Sequence, residues 1–189
     1  ILLNKAILIM GIPGIPYAIL FYLAENYELT ILTISFLCAY SLSYFLNYFL
    51  FHNAAKFSMI FFTSLAVLVF SKILGPDAGI YLYFFSIAAT TRVLFNPKNK
   101  VMNTISFTIP SMCFFIYTLV PFKSPFTINL APIFLQGSFV LSAIISFTLI
   151  YFSLLYYTNA LLTSEVSLLN TNKELTRAIS EASERKLML

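Results

Sequence analysis

Very few side chains of this 189-residue chain could do acid–base, nucleophilic or metal chemistry. The sequence contains a single histidine, His52, and two cysteines, Cys38 and Cys113. A zinc site needs several such ligands at fixed spacing, and these three residues do not provide it. Each cysteine lies in the middle of an apolar segment, which is typical of a buried free thiol. The sequence therefore predicts no catalytic residues, no metal site and no cofactor in this chain.

Two charged residues beside apolar segments have simple structural interpretations. Asp77 lies in the turn Gly75–Gly79, where an acid can cap the following helix and favour its dipole. Arg92 lies near the end of an apolar segment, from which a long basic side chain reaches the lipid headgroups. We expect Asp77 to cap a helix and Arg92 to contact the membrane interface; pairing of Arg92 across the bundle is the alternative.

Uncharged polar and aromatic side chains within the apolar segments are the remaining candidates for a binding site. Such polar groups commonly form hydrogen bonds between membrane helices. With aromatic neighbours they can also line a pocket for a small lipophilic ligand. The sequence leaves both roles open. The candidate ligand-binding residues are Tyr44, Asn47, Tyr81, Tyr83, Phe84, Ser86, Thr90 and Phe114.

The composition places these residues in a membrane. The chain is 60% hydrophobic and 10% charged, with a mean hydropathy of +0.90, whereas a soluble domain has about 25% charged residues. Its apolar segments are long enough to cross a bilayer, and they must be helical because lipid offers no partner to open backbone groups. The net charge of +4 is scattered along the chain, so we expect no nucleic-acid partner.

Six apolar segments are expected to be transmembrane helices joined by short connections. Pro13, Pro16 and Pro110 lie inside two of these segments and are expected to make the helices flexible. The sequence thus predicts an all-α, polytopic membrane protein whose six-helix bundle covers residues 1–157. The six segments cover approximately residues 6–23, 29–51, 57–74, 80–95, 101–120 and 131–157.

The basic residues predict the orientation of this bundle. With six spans, both termini lie on one side of the membrane. Positive residues favour the cytoplasm, so we expect both termini to be cytoplasmic in a multi-pass protein of the cell inner membrane. Lys72 and Lys123 fall on the other side. The basic residues on the side of the termini are Lys5, Lys56, Arg92, Lys98 and Lys100.

Residues 158–189 differ from the rest of the chain because charged residues return there. They contain no Gly or Pro, so they are expected to continue the sixth helix into the cytoplasm. Apolar residues recur every seven positions, which favours a coiled coil that pairs two copies of the chain. The residues of this seam are Leu161, Leu168, Leu175, Ala182 and Leu189.

The loop at residues 74–85 carries a resemblance to a known family. It has the form Gly-x-x-Ala-Gly followed by an aromatic-rich helix. Together with the short connections and the charged helix at residues 170–187, it resembles the six-helix membrane sensory domain of bacterial receptors. That family includes the α-hydroxyketone quorum-sensing histidine kinases, and similar domains anchor class III nucleotide cyclases.

The resemblance implies that the chain is the sensor domain of a two-component receptor, with a histidine kinase as its expected output. A small lipophilic signal would bind among the helices, and the sixth helix would transmit it to an output domain beyond this chain. A nucleotide-cyclase receptor is the alternative output. A small membrane transporter or scaffold is the alternative of another class.

Overall fold

The computed structural model describes residues 11–12, 14–95, 99–121 and 130–187, without the side chains of residues 92 and 180–187. All regular structure in these ranges is helical, as expected from the sequence. The helices are α1 Gly14–Leu23, α2 Tyr27–Tyr48, α3 His52–Leu74, α4 Tyr83–Leu94, α5 Lys100–Leu119 and α6 Pro132–Leu187. Two 3-10 turns, Pro76–Ala78 and Ile80–Leu82, separate α3 from α4.

The longer helices have the length and apolar character of membrane spans. Four candidate spans lie in the described residues: Tyr27–Tyr48, His52–Leu74, Lys100–Leu119 and Pro132–Ile179. The apolar helices Gly14–Leu23 and Ile80–Thr91 are shorter. The all-α class is confirmed, and the helices are compatible with a membrane protein. The count of six spans stays a prediction.

The chain divides into two compact units, residues 1–151 and 152–189. In the first unit, α2 packs against both α1 and α3, while α5 packs against α3 and α4. In the second unit, which consists of the later part of α6, nearly every described side chain is exposed. The boundary predicted at residue 157 lies slightly further along α6 than this division.

Aromatic rings and small residues fill the interior of the first unit. Phe21 of α1 is almost fully buried and stacks on Phe70 of α3, with ring centroids 5.9 Å apart. Ala55, Ser64 and Ser71 of α3 are fully buried. Small side chains allow membrane helices to approach closely, and dispersion contacts then hold them together. The buried small residues of α3 therefore allow its neighbours to pack closely against it.

The connection between α3 and α4 contains two glycines with positive φ angles. Gly75 ends α3 at φ 78°, and Gly79 lies in the left-handed region at φ 69° between the two 3-10 turns. Asp77 in this connection is exposed, and α4 begins after Leu82 without a side-chain cap. The prediction that Asp77 caps α4 is therefore wrong, because the second 3-10 turn separates the two.

The two cysteines also differ from expectation. Cys38 is exposed and Cys113 is half-buried. The prediction of a buried Cys38 is wrong, because its side chain lies on the outer surface of α2. An apolar segment of a membrane bundle can expose any of its faces to lipid, so its sequence does not reveal which residues point inward.

Lys72 of α3 fixes the carboxyl end of α5. Its Nζ donates a hydrogen bond to the Tyr117 carbonyl at 2.7 Å and another to the Val120 carbonyl, and it lies 5.4 Å from the centroid of the Tyr117 ring. The last carbonyls of a helix have no partner within the helix. A cation there satisfies them and favours the helix dipole.

Replacement of Lys72 by methionine is expected to lower the free energy of unfolding by about 1–3 kcal/mol, because carbonyls at the end of α5 lose a charged donor. Reversible unfolding in mixed micelles measures this change. Lys173→Met is the matched control, since Lys173 is exposed in the second unit. Equal stability of the two variants would contradict the capping role of Lys72.

Candidate functional site

A cavity of about 120 Å³ lies within the first unit. Tyr17 and Phe21 of α1, Val67 and Phe70 of α3, and Tyr83 of α4 are among its buried lining residues. Residues of α2 and Leu149 of α6 complete the lining. No charged side chain lines the cavity among the described residues. The cavity is therefore suited to an uncharged, mainly apolar group.

Two of the eight candidate ligand-binding residues line this cavity. Tyr83 and Ser86 begin α4, and both are buried against the cavity. The Ser86 hydroxyl donates a hydrogen bond to the Tyr83 carbonyl at 3.0 Å. The structure thus places part of the predicted site at a cavity, whereas ligand binding there stays a prediction.

Two further candidates lie near the carboxyl end of α2 and do not line the cavity. Tyr44 is exposed and contacts the ring of Phe45. Asn47 is buried, and its Oδ1 lies 2.6 Å from Nδ1 of His52 in a hydrogen bond. Asn47 and His52 therefore link the end of α2 to the start of α3.

The other four candidates also lie outside the cavity lining, mostly at the contact between α4 and α5. The Phe84 and Phe114 rings meet edge to face at 6.0 Å. Tyr81 stacks on Tyr117 at 5.8 Å. Thr90 donates its hydroxyl proton to the Ser86 carbonyl at 2.7 Å. The aromatic residues among them contribute helix packing.

The predicted site residues include no residue of α1, α2 or α3 that lines the cavity. Gly11 and Gly14 line it opposite Leu37 and Tyr40 of α2. A Cβ atom at Gly14 would lie 2.7 Å from Leu37 Cδ2, and one at Gly11 would lie 3.1 Å from Tyr40 Cε1. The two glycines therefore let α1 approach α2 closely. The signal in the sequence is this glycine pair beside Pro13 and Pro16.

A cluster of hydroxyl groups joins the cavity wall to α6. The Tyr17 hydroxyl lies 2.5 Å from Ser142 Oγ and 3.2 Å from the Ser138 carbonyl oxygen. Ser138 and Ser142 donate to the Ala78 carbonyl at 3.1 and 3.3 Å. Each hydroxyl has a single proton, and either Tyr17 or Ser142 can be the donor in the bond between them. Tyr17 thus belongs both to the cavity wall and to the α6 contact.

Tyr83 lies beside this cluster. Its ring meets the Tyr17 ring edge to face at 6.4 Å. Its buried hydroxyl makes no hydrogen bond of normal geometry with the described residues, and the polar side chains with which it interacts are Tyr17 and Ser142. A buried hydroxyl without a good partner is costly, so an arrangement in which Tyr83 gains a hydrogen bond would be favoured.

Gly79 fixes the loop against α6 on the same side. A Cβ atom there would lie 2.7 Å from Phe139 Cδ2 and 3.0 Å from its Cα atom. Only glycine combines this close approach with a left-handed backbone at low cost. The contact places Ala78 where its carbonyl accepts from Ser138 and Ser142.

The predicted seam belongs to the second unit. Leu161, Leu168 and Leu175 are all more than half exposed. The side chain of Ala182 and the whole of Leu189 lie outside the described residues. Pairing of two copies through this leucine row stays a prediction.

The described residues contain no group of three His, Cys, Asp or Glu side chains that could hold a metal ion. Comparison with known proteins adds no further guide: the chain matches no protein-family model, no curated protein and no solved structure. The interpretation of the site therefore rests on its own geometry.

Proposed function

We propose that this chain is the signal-input domain of a bacterial membrane receptor. A small lipophilic molecule binds in the cavity of the first unit, and α6 transmits its presence to an output domain. The observation that carries this proposal is the position of Tyr17, which lines the cavity and lies 2.5 Å from Ser142 of α6. Leu149 of α6 also lines the cavity, so this helix has a second contact with whatever fills it.

The mechanism is a shift between two packings of α6. A ligand changes such an equilibrium only by its different affinity for the two states. When the cavity is filled, the Tyr17 and Tyr83 rings are held in one arrangement, and this favours one geometry of the hydroxyl cluster at Ser142. Because α6 extends from Pro132 to Leu187 as a single helix, a rotation or shift at Ser142 is passed along its backbone.

The output of the receptor is proposed from the family resemblance. A sensor histidine kinase fits a helix with an exposed leucine row that leads from a membrane bundle into the cytoplasm. Two copies would pair through Leu161, Leu168 and Leu175 in a homodimer, with both termini on the cytoplasmic side of the inner membrane. A ligand would then alter the pairing of the two helices.

Crosslinking tests the pairing. Single cysteines at Leu161, Leu168 and Leu175 are expected to form disulfides between two chains in membranes, because seam positions face each other in a parallel coiled coil. Cys38 and Cys113 are first replaced by alanine, since Cys38 is exposed and could crosslink by itself. Cysteines at Thr163 and Asn170, which are exposed and lie on the face of the helix opposite the seam, serve as controls.

Crosslinking confined to the seam positions supports the homodimer, whereas equal rates at seam and control positions would contradict it.

Reconstituted vesicles provide the test against a transporter. A receptor changes its crosslinking pattern when a lipophilic probe is added and gives no flux. Flux of the probe without any change at Leu161 would contradict the receptor.

A further inference from the structure

We infer that the cavity takes an uncharged hydrocarbon group of about six carbon atoms, and that any polar part of a larger ligand stays outside it. This inference rests on the proposed function, since it names the kind of group that acts on Tyr17. Its basis is the volume of the cavity and the state of the hydroxyl groups in its wall.

The volume limits what can enter. The cavity measures about 120 Å³. An engineered apolar cavity of about 150 Å³ in another protein binds benzene, whereas sites for drug-sized ligands have volumes of about 300–1,000 Å³. The cavity therefore accommodates a small ring or the end of an alkyl chain, but not a whole amphiphilic molecule.

The hydroxyl groups in the wall offer few free donors to a polar ligand. Thr33 donates to the Leu29 carbonyl at 2.7 Å, and Thr63 donates to the Met59 carbonyl at 2.7 Å. Ser86 is bonded in the same way to its own helix. A donor already used within its helix is not available to an acceptor on the ligand, so burial of such an acceptor here costs about 1–3 kcal/mol.

The tyrosine hydroxyls do not change this conclusion. Tyr40 interacts with Thr63 across the contact between α2 and α3. Tyr17 is bonded toward α6, whereas the Tyr83 hydroxyl makes no hydrogen bond of normal geometry with the described residues and is a single donor open to a ligand. The remaining surface consists mainly of aromatic rings and aliphatic side chains such as Phe70 and Ile87. Dispersion contacts with this surface favour hydrocarbon.

Benzene is the probe that tests the inference. We expect it to raise the unfolding temperature of the purified protein in detergent, because a ligand that binds only the folded state stabilises it. Ala66→Leu adds atoms at the cavity wall and is expected to weaken benzene binding by at least about ten-fold. Ala54→Leu is the matched control on the same helix, at an exposed position outside the cavity lining.

The inference is overturned if benzene does not stabilise the natural protein, or if it stabilises both variants equally. A third variant keeps the test valid should Ala66→Leu fail to fold. Val67→Ala enlarges the cavity and is expected to admit butylbenzene, which the natural protein should bind at least about ten-fold more weakly. The inference is also overturned if Val67→Ala binds benzene and butylbenzene in the same ratio as the natural protein does.

A hydrocarbon group can come from a free molecule or from the acyl chain of a bilayer lipid. Bromohexane and a phosphatidylcholine with a brominated acyl chain distinguish the two sources, since bromine quenches the fluorescence of tyrosines that it contacts. If Ala66→Leu reduces quenching by either probe relative to Ala54→Leu, that source is supported. If it reduces neither, the inference is wrong.

Failure of this inference can be distinguished from failure of the proposed function. Probe binding is measured by the unfolding temperature and by quenching, whereas signalling is measured by crosslinking at Leu161. Binding without any change in crosslinking leaves the cavity assignment intact and contradicts the receptor. A crosslinking response in a protein whose cavity binds no hydrocarbon supports the receptor and contradicts the cavity assignment.

Discussion

Replacement of Gly79 by alanine is expected to lower the free energy of unfolding by about 2–4 kcal/mol. Two costs add at this position. The left-handed backbone at φ 69° disfavours any residue with a Cβ atom. The new methyl group would also lie 3.0 Å from the Cα atom of Phe139, so that α6 itself must move. Reversible unfolding in mixed micelles measures the loss.

Alanine substitutions at two other glycines distinguish the backbone cost from the steric cost. Gly75 has φ 78° and ψ −177°, a backbone region essentially restricted to glycine, but no neighbouring atom lies within 4 Å of an added Cβ, so Gly75→Ala carries a backbone cost of its own and no steric cost. Gly137 lies within α6, also in open space, and Gly137→Ala is expected to be neutral or to stabilise the helix by up to about 1 kcal/mol. Only Gly79→Ala displaces α6, so it alone should alter crosslinking at Leu161. An unchanged pattern in that variant would contradict the role of the loop contact.

The sequence predicted the helices of this protein well. Long apolar segments predict helices, because lipid offers no partner to open backbone groups. Residues such as Gly75, Gly79 and Asn99 between these segments predict the helix ends, because they favour turns and helix starts. Asn99, for example, caps α5 by accepting from the Met102 amide at 3.2 Å. Helix positions follow from local chemistry and composition, which a single sequence contains.

The sequence predicted the candidate site less completely. It identified Tyr83 and Ser86 but missed Tyr17 and Tyr40, and it placed Cys38 inside although it is exposed. In a soluble helix the apolar face marks the interior. In a membrane helix both lipid and neighbouring helices are apolar, so hydrophobicity does not distinguish the faces. The cavity depends on which faces meet, and that is decided by packing between helices distant in sequence.

The second large effect is expected at Ser142. Ser142→Ala removes the partner of the Tyr17 hydroxyl on α6 and a donor to the Ala78 carbonyl. Hydrogen bonds between membrane helices contribute about 0.6–1.7 kcal/mol, so the loss of stability should be modest. We expect the response of Leu161 crosslinking to a bound probe to fall at least about five-fold, which corresponds to about 1 kcal/mol of coupling. Because Ser142 does not line the cavity, benzene binding should persist.

Ser146→Ala is the matched control one turn further along α6. Ser146 is buried like Ser142, but its hydroxyl makes no hydrogen bond with the described residues. Removal of a buried hydroxyl without a partner is neutral or stabilising, so stability and response should both be retained. A similar loss of response in both variants would show that any small change in α6 disturbs the receptor.

A double-mutant cycle tests whether Tyr17 and Ser142 act as one unit. Tyr17→Phe keeps the ring in the cavity wall but removes the hydroxyl. If the contact at 2.5 Å connects the cavity to α6, the double variant should lose no more response than Tyr17→Phe alone, because residues that share one interaction are not additive. Independent, additive losses would place the connection elsewhere: the contact through which the cavity acts on α6 would then be Leu149, which itself lines the cavity, or the packing of Gly79 against Phe139.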